Sequence, residues 1–354
     1  MKKTKFGLVG CGRISKRHLE VLSKLENAEI TAVCDIAVEK AKEAGEKYNI
    51  PYYSSYDEML LKHRDIEVVN ILLPSGLHAC AGIEIIEKYR KHLVIEKPMA
   101  LRMDEADRLI AAASDNNVKL FVVKQNRYNL PVKKLKEAVV SGKFGKIVLA
   151  TVRVRWCRDE KYYKSDSWRG TWRYDGGVLT NQASHHIDLL QWLAGPVESV
   201  IAKTSTALND IEVEDTAAVI MKFRNGALGI VEATTCARPA DLEGSISILG
   251  ENGTVEISGF AVNKMKIWTF KNETKEESET IIKEFQQNPP NVYGFGHSEY
   301  LKNVIDCIQN NTRIPVDGIE GRKSIELINA IYESVETGKE VFIHFKPKLC
   351  KLGY

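Results

Sequence analysis

The sequence contains no apolar run near the roughly 20 residues needed to cross a bilayer, and no long apolar leader follows Met1. It has no C-x-x-C pair. Its seven cysteines (Cys11, Cys34, Cys80, Cys157, Cys236, Cys307, Cys350) are scattered and odd in number, which argues against a disulfide framework and a structural zinc site. A reducing, cytoplasmic setting is expected. An excess of one charge is also missing. The net charge of +3 is too small to imply a nucleic-acid or membrane partner. No internal repeat and no low-complexity tract is present. What remains is 354 residues of ordinary globular composition, enough for two domains with a core each.

The chain is organised around Val94-Ile95-Glu96-Lys97-Pro98. An apolar run reads as a short buried strand that stops at an acid, a base and a proline. Lysine at the carboxyl end of such a strand stands where open α/β sheets bind ligands. The proline fixes the backbone just after it. Taken alone, the lysine reads equally well as a surface residue; the rest of the chain decides.

Phe6 to Val9 is a strand, followed by Gly10-Cys11-Gly12-Arg13-Ile14-Ser15 and a helix over Ser15–Leu25. This is G-x-G-x-x-G with serine in the last slot. The first glycine permits the tight turn, the second lets backbone approach a pyrophosphate, and the helix start offers free N–H groups to the anion. A second strand, Ile30–Cys34, ends in Asp35, 20 residues past Ser15, where a ribose-binding carboxylate belongs. Ile36-Ala37-Val38 follow, with no arginine for a 2′-phosphate, so NAD is expected rather than NADP. Helices at Val38–Tyr48, Asp57–Lys62, Gly82–Tyr89 and Asp104–Asn116 alternate with strands at Val68–Leu73, up to Ile95, and Lys119–Val123. That alternation predicts a doubly wound parallel sheet over residues 1–123. Pro74-Ser75-Gly76-Leu77-His78 is a strand-end loop that should border the cofactor; for His78 a structural hydrogen bond is as good a reading as chemistry.

Residues 124–354 read as a substrate-binding and oligomerisation domain whose last segment packs back on the first. Lys124-Gln125-Asn126-Arg127-Tyr128 is a polar cluster, Pro131–Ser141 a helix, and Ile147–Trp156 a strand with Arg153 and Arg155 on one face, either ligand-facing or a solvated edge. Asp159–Asp175 is expected to be a long irregular loop rich in Tyr, Trp, Arg and Lys, the composition of a loop that binds something. Gly176-Gly177 opens a helix in which Asn181, His185 and Asp188 share a face, a general-base arrangement whose imidazole a carboxylate or backbone carbonyl can orient. The adjacent His185 and His186 point in different directions, so no metal is expected. From Val197 to Phe285 the pattern is strand-rich with hairpin turns, predicting an open, mostly antiparallel sheet that meets a second subunit. Asn288–Gly296 reads as a loop, His297–Gln309 and Gly318–Thr337 as helices, and Val341–Ile343 as a last strand.

With Gly10-x-Gly12-x-x-Ser15, Glu96-Lys97-Pro98 and Gly176-Gly177…His185-x-x-Asp188 together, the chain resembles the Gfo/Idh/MocA family of sugar oxidoreductases over about Lys5–Phe345. The resemblance implies an N-terminal Rossmann domain, a C-terminal α/β domain on an open antiparallel sheet, a tightly held nicotinamide cofactor and a cis Lys97–Pro98 peptide. It implies Lys97 and His185 as catalytic residues facing the reacting carbon. The cofactor set is then Gly10, Gly12, Arg13, Ile14, Asp35, Pro74, Ser75, His78, Glu96, Lys97 and Gln125. Substrate contacts are expected from Arg127, Arg155, Tyr163, Trp168, Arg169, Asn181 and Gln182. One departure stands out: many members carry Asp four residues before the histidine, and this chain has Asn181. The segment Trp168–Trp172 with Asn181-Gln182 is most similar to members of the WlbA type. Those oxidise C3 of UDP-N-acetylglucosaminuronate in surface-polysaccharide synthesis. A dehydrogenase of a free sugar or polyol, such as glucose or myo-inositol, is the alternative. A catalytically inactive NAD-binding regulator is the rival of another class. A homo-dimer or homo-tetramer through the C-terminal sheet is expected.

Overall fold

The computed structural model describes residues 2–286 and 294–343. In chain order the first part runs β1 (Thr4–Val9), α1 (Arg13–Leu22), β2 (Ala28–Cys34), α2 (Val38–Tyr48), β3 (Tyr52–Tyr53), α3 (Tyr56–Lys62), β4 (Val68–Ile71), α4 (His78–Tyr89), β5 (His92–Ile95), α5 (Met103–Asp115) and β6 (Leu120–Val122). The six strands lie in the order β3-β2-β1-β4-β5-β6, all parallel. Every residue of β4 and nearly every residue of β5 is buried, as a parallel strand covered by helices on both faces requires.

The second part runs α6 (Leu130–Val140), β7 (Ile147–Arg155), α7 (Glu160–Lys164), α8 (Ser184–Ala194), β8 (Val197–Ser205), β9 (Thr216–Phe223), β10 (Leu228–Thr234), β11 (Glu243–Gly250), β12 (Gly253–Ser258), β13 (Lys264–Phe270), α9 (Lys275–Glu284), α10 (Gly296–Asn310), α11 (Gly318–Thr337) and β14 (Val341–Phe342). Its eight strands lie in the order β13-β12-β11-β7-β10-β9-β8-β14, antiparallel except for the β7–β10 pair. In β9 and β10 buried and open residues alternate, so one face of this sheet is covered and the other is bare. The covered face packs on α8 and α11, with Val152, Val154, Ile187, Leu190, Val219 and Ile331 in one core. Each such side chain contributes about 1.5–3 kcal/mol by leaving water, so packing rather than helix propensity holds α8, the element that carries His185.

Three expectations change. The Asp159–Asp175 segment contains a helix, α7, capped by the Asp159 side chain on the Tyr162 N–H. A helix absent from the strand-rich reading occupies Lys275–Glu284, opened by a capping box between Thr274 and Glu277. Asn181 is not on the helix of His185: a π-turn over Val178–Gln182 precedes α8, which begins at Ser184. Most of the loop expected at Asn288–Gly296 lies outside the described residues; Gly296 itself begins α10. Tyr300, Leu301 and Val304 of α10 pack into the core of the first sheet beside Phe6, Leu8 and Phe121.

Candidate active site

The cofactor crevice follows from β1. Gly10 has φ +100°, and a Cβ there would lie 2.6 Å from the Leu72 carbonyl oxygen, so only glycine fits the turn. Gly12 differs: a Cβ added to it meets nothing within 4 Å, which leaves open space above the start of α1. No side chain caps that helix start, so its N–H groups face the opening. Ser15 closes the turn from within, its hydroxyl donating to the Gly12 carbonyl at 2.6 Å. Asp35 is fixed by the N–H groups of Cys11 (2.7 Å) and Ala37 (2.8 Å). Each carboxylate oxygen keeps a lone pair for a ribose hydroxyl. Beside it Ile36 is 93% exposed, a bare apolar side chain that a purine ring would cover. These residues fit a dinucleotide. Arg13 and Ile14 lie at the same rim, with the Arg13 guanidinium 5.5 Å from the centre of the Tyr162 ring.

Two expected cofactor residues serve the frame instead. His78 is buried with Nδ1 2.7 Å from the Pro98 carbonyl and Nε2 2.7 Å from the Leu73 carbonyl. A neutral ring donates to only one of these two carbonyls, and it sits wedged between the end of β4, next to Pro74 and Ser75, and the turn after Lys97. Glu96 points into the core. His18 Nε2 lies 3.0 Å and His297 Nε2 3.6 Å from its carboxylate, while its second oxygen accepts the Lys97 N–H at 3.1 Å. Burial would raise the Glu96 pKa, but the two imidazoles hold it well below the usual carboxylate range.

Lys97 and His185 approach each other from different domains. Lys97, before a cis proline, sends Nζ to the Asn181 carbonyl at 2.6 Å. Burial lowers its pKa, and Glu96 and Asp175 oppose that shift. His185 Nε2 is 2.9 Å from the Gln125 side-chain amide. Its pKa is pushed well below 6.5, first by burial and then by Lys97 and Lys124. The ring is therefore neutral at pH 7 and able to take a proton. Among the described residues the bond to Gln125 is the one its ring makes. The Gln125 amide oxygen is buried without a partner. Turned about, that amide accepts the Nε2–H and leaves Nδ1 as the basic atom. Gln125, expected at the cofactor, thus sits against the base.

Asp188 does not orient His185. It accepts two bonds from Arg127, both at 2.8 Å, and lies 3.2 Å from Lys124 Nζ. This also corrects Arg127 as a substrate contact: its guanidinium is buried and shared between Asp188 and Glu320. Burial raises the Asp188 pKa, but the two cations outweigh it and hold the carboxyl well below 3.8. Asp188→Asn is expected to cost about 3–5 kcal/mol, because buried Lys124 loses its carboxylate and buried Arg127 is left with Glu320 alone. The carboxylate's contribution is present above its unfolded pKa and is lost as pH falls through the depressed folded value. Denaturant melts should show the gap between wild type and variant constant near neutrality and narrowing only below about pH 4.

The loop residues divide. Arg169 stacks on Trp168 (4.4 Å) and Tyr162 (4.6 Å), and donates to Tyr162 Oη (2.8 Å) and Asp166 (3.1 Å). It is close enough to Lys97 and Asp175 to shift both. Gln182 reaches the same tyrosine hydroxyl at 3.4 Å. Tyr163, by contrast, is buried with its hydroxyl on Thr235, so it braces the loop. Arg155 is on the outer face of the sheet, paired with Glu232 and Glu243, while Val152, Val154 and Trp156 face α8. It faces away from His185. Sequence reasoning missed Tyr162, Lys124 and Asp175. Of two adjacent tyrosines nothing local says which turns inward, and although Asp175 is bonded to the nearby Gly170 and Asn181, the Lys97 that Asn181 reaches lies across the fold. The turn before α8 is held by Glu214, which accepts from the Leu179 N–H (3.0 Å) and the Tyr332 hydroxyl (2.9 Å). A Cβ on Gly177 would lie 2.0 Å from that carboxylate.

The chain matches two family models, one described as the NAD-binding Rossmann fold of an oxidoreductase family over residues 4–124, the other as that family's C-terminal α/β domain over residues 136–343. Among solved structures it is similar to the WlbA dehydrogenase from Bordetella pertussis in complex with NADH and UDP-GlcNAcA. Identity is 40% and the TM-score 0.89, with 98% of this chain and 100% of that one covered. It is also similar to the WlbA dehydrogenase from Chromobacterium violaceum with the same two ligands, at 42% identity and TM-score 0.91, covering 98% of each chain. Myo-inositol 2-dehydrogenase from Thermotoga maritima is 26% identical, covering 95% of this chain and 98% of its own. The glycine-rich turn, the Lys97 and His185 site and both family domains lead to one conclusion: the chain belongs to the Gfo/Idh/MocA family and is an oxidoreductase with an NAD-binding Rossmann domain.

Proposed function

We propose that the chain oxidises the C3 hydroxyl of a UDP-linked N-acetylamino sugar or its uronate, with NAD as oxidant. The observation that carries this reading is the basic, aromatic cluster beside Lys97. Arg13, Arg158 and Arg169 all lie within 5.5 Å of the Tyr162 ring, at the junction of the cofactor crevice and the loop. Arg158 and Arg169 are paired with Asp241 and Asp166, whereas Arg13 has no acidic partner among the described residues; a sugar diphosphate would give it one and a free polyol would not. The identity to the two WlbA structures over nearly the whole chain supports it.

NAD, held by the Gly10–Ser15 turn and Asp35, would supply the hydride acceptor. Lys97 directs the N–H bonds not used on Asn181 at the substrate oxygen and stabilises the negative charge growing there. His185 takes the hydroxyl proton on Nδ1 while Gln125 holds the other nitrogen. Both residues are proposed as catalytic, with Arg169, Trp168, Asn181 and Gln182 around the substrate.

The test is a thermal-shift series on the NAD-loaded protein with UDP-N-acetylglucosamine, its uronate, UDP, glucose and myo-inositol. The UDP-sugars should stabilise it by about 2.7 kcal/mol at a hundred times Kd, with UDP weaker at equal concentration. The uronate should also raise absorbance in the reduced-nicotinamide band. Stabilisation by glucose or myo-inositol alone would replace this reading with the free-sugar one, which the Thermotoga relative represents. Binding of NAD with no turnover of any sugar would favour a regulator.

No described helix is long and apolar enough to cross a membrane, and a cytoplasmic site of action is proposed. The bare sheet face carries Ile201, Ile220 and Ile230 side by side across β8, β9 and β10, with Leu228 nearby. A second copy of the chain is the proposed cover.

A further inference from the structure

We propose that Asp175 is a positioning residue for Lys97: acting across Asn181, it aims the lysine amine at the reacting oxygen and adds a negative charge that favours its ammonium form. The inference rests on the dehydrogenase reading above and adds a residue to it.

Among the described residues Lys97 Nζ reaches one acceptor, and that acceptor is neutral, the Asn181 carbonyl at 2.6 Å. The other acids near the site are engaged elsewhere. Glu96 gives one oxygen to His18 and the other to the Lys97 backbone N–H. Asp188 is held by Arg127 and Lys124. Asp175 is 1% exposed. One of its oxygens accepts the Gly170 N–H at 2.8 Å, and the other accepts the Asn181 side-chain amide. Asn181 therefore joins the two groups, its amide on the carboxylate and its backbone carbonyl on the amine.

The backbone at Asp175 is also held in place, with its neighbour tied to the first domain. Its own N–H and that of Gly176 close a turn on the Thr171 carbonyl at 3.1 and 2.9 Å. One residue earlier, the Tyr174 carbonyl accepts the Gly76 N–H of the first domain at 3.0 Å. The groups that face Lys97 are Glu96 on its own strand end, Lys124 after β6, Arg169 and Asp175 on the loop, and His185 on α8. Two of these are cations that oppose a third positive charge. Glu96 is the larger of the two opposing negative charges and Asp175 the second; burial raises the pKa of Asp175, but it is the acid joined to the amine through Asn181. The neutral amide at position 181 adds no charge, but it transmits the geometry.

The test reads Lys97 directly, without a substrate. In NAD-loaded protein labelled with 13C and 15N lysine, the Lys97 13Cε signal is assigned by its loss in Lys97→Met and followed with pH. In Asp175→Asn the midpoint should fall by about one unit, since a neighbouring opposite charge is worth about 1–3 units. Asp175→Glu and the exchange Asp175→Asn with Asn181→Asp should restore it. With UDP-N-acetylglucosaminuronate as probe, the alkaline limb of kcat should fall by the same interval, so that kcat drops by about 10-fold only at pH values well above the wild-type midpoint, with KM changed less than about 3-fold. The asparagine is isosteric and its amide oxygen can still accept the Gly170 N–H; if it fails to fold, Asp175→Ser serves the same comparison. A Lys97 midpoint unmoved in the folded variant overturns the proposal. A wild type that turns over no UDP-sugar sinks the substrate reading alone, because the lysine titration needs no sugar.

Discussion

Lys97→Met should lower turnover of the UDP-sugar by at least about 100-fold, equivalent to roughly 2.7 kcal/mol of transition-state stabilisation, while the purified protein keeps its NAD. The side chain lengths are similar, so the change removes charge and donors rather than volume. None of the contacts to the Gly10–Ser15 turn or Asp35 involves the lysine amine. The Asn181 carbonyl loses its 2.6 Å partner, which costs some local order and leaves the glycine-rich turn and Asp35 untouched. The loss should therefore fall on kcat more than on KM. It should also remove the alkaline limb of the pH profile. Burial lowers the Lys97 pKa below 10.5, so wild-type activity depends on the ammonium form and declines as pH rises through that lowered value. Turnover of the variant within a few-fold of wild type would take Lys97 out of the mechanism.

The second large effect is expected of His185→Asn, again at least about 100-fold in turnover. Asparagine can keep a hydrogen bond to Gln125 but cannot take a proton at neutral pH. The pH dependence separates this loss from misplacement. His185 has a folded pKa well below 6.5 because of burial, Lys97 and Lys124. It is the base only when neutral, so wild-type turnover should fall on acidification through that depressed value. In the variant the acid limb should vanish, leaving a low rate nearly flat down to the pH where the fold is lost. An acid limb preserved in His185→Asn would assign it to another group, with Asp175 next in line. Burial raises the pKa of that carboxyl.

The site was partly legible in the sequence. Gly10, Gly12 and Asp35 could be read because each answers a local demand: a tight turn, a close approach, an acid one strand further on. Their roles need only the neighbouring turn and strand. Lys97 and His185 were singled out by motif, and their meeting required the π-turn of Val178–Gln182, which shifts Asn181 off α8 and presents its carbonyl to the lysine. The misassigned residues share one cause. Arg127, Arg155 and Tyr163 have side chains suited to binding, but their partners are Asp188 and Glu320, Glu232 and Glu243, and Thr235. All of those partners are far away in sequence, the cross-strand partners of Arg155 included, so type alone could not say whether an arginine was committed.

The sequence by itself determined the alternation of short buried strands with helices, the parallel sheet that follows from it, the antiparallel sheet with one bare face, and the dinucleotide turn. These rest on periodicity and local steric rules, which act over a few residues. Only the tertiary structure decided which acids are spent and which face the reaction. Glu96 is turned to His18 and His297, Asp188 to Arg127 and Lys124, and Asp175 is brought through Asn181 to Lys97. Charges interact through space across elements that meet only when the chain is folded, so no spacing along the chain could have assigned them.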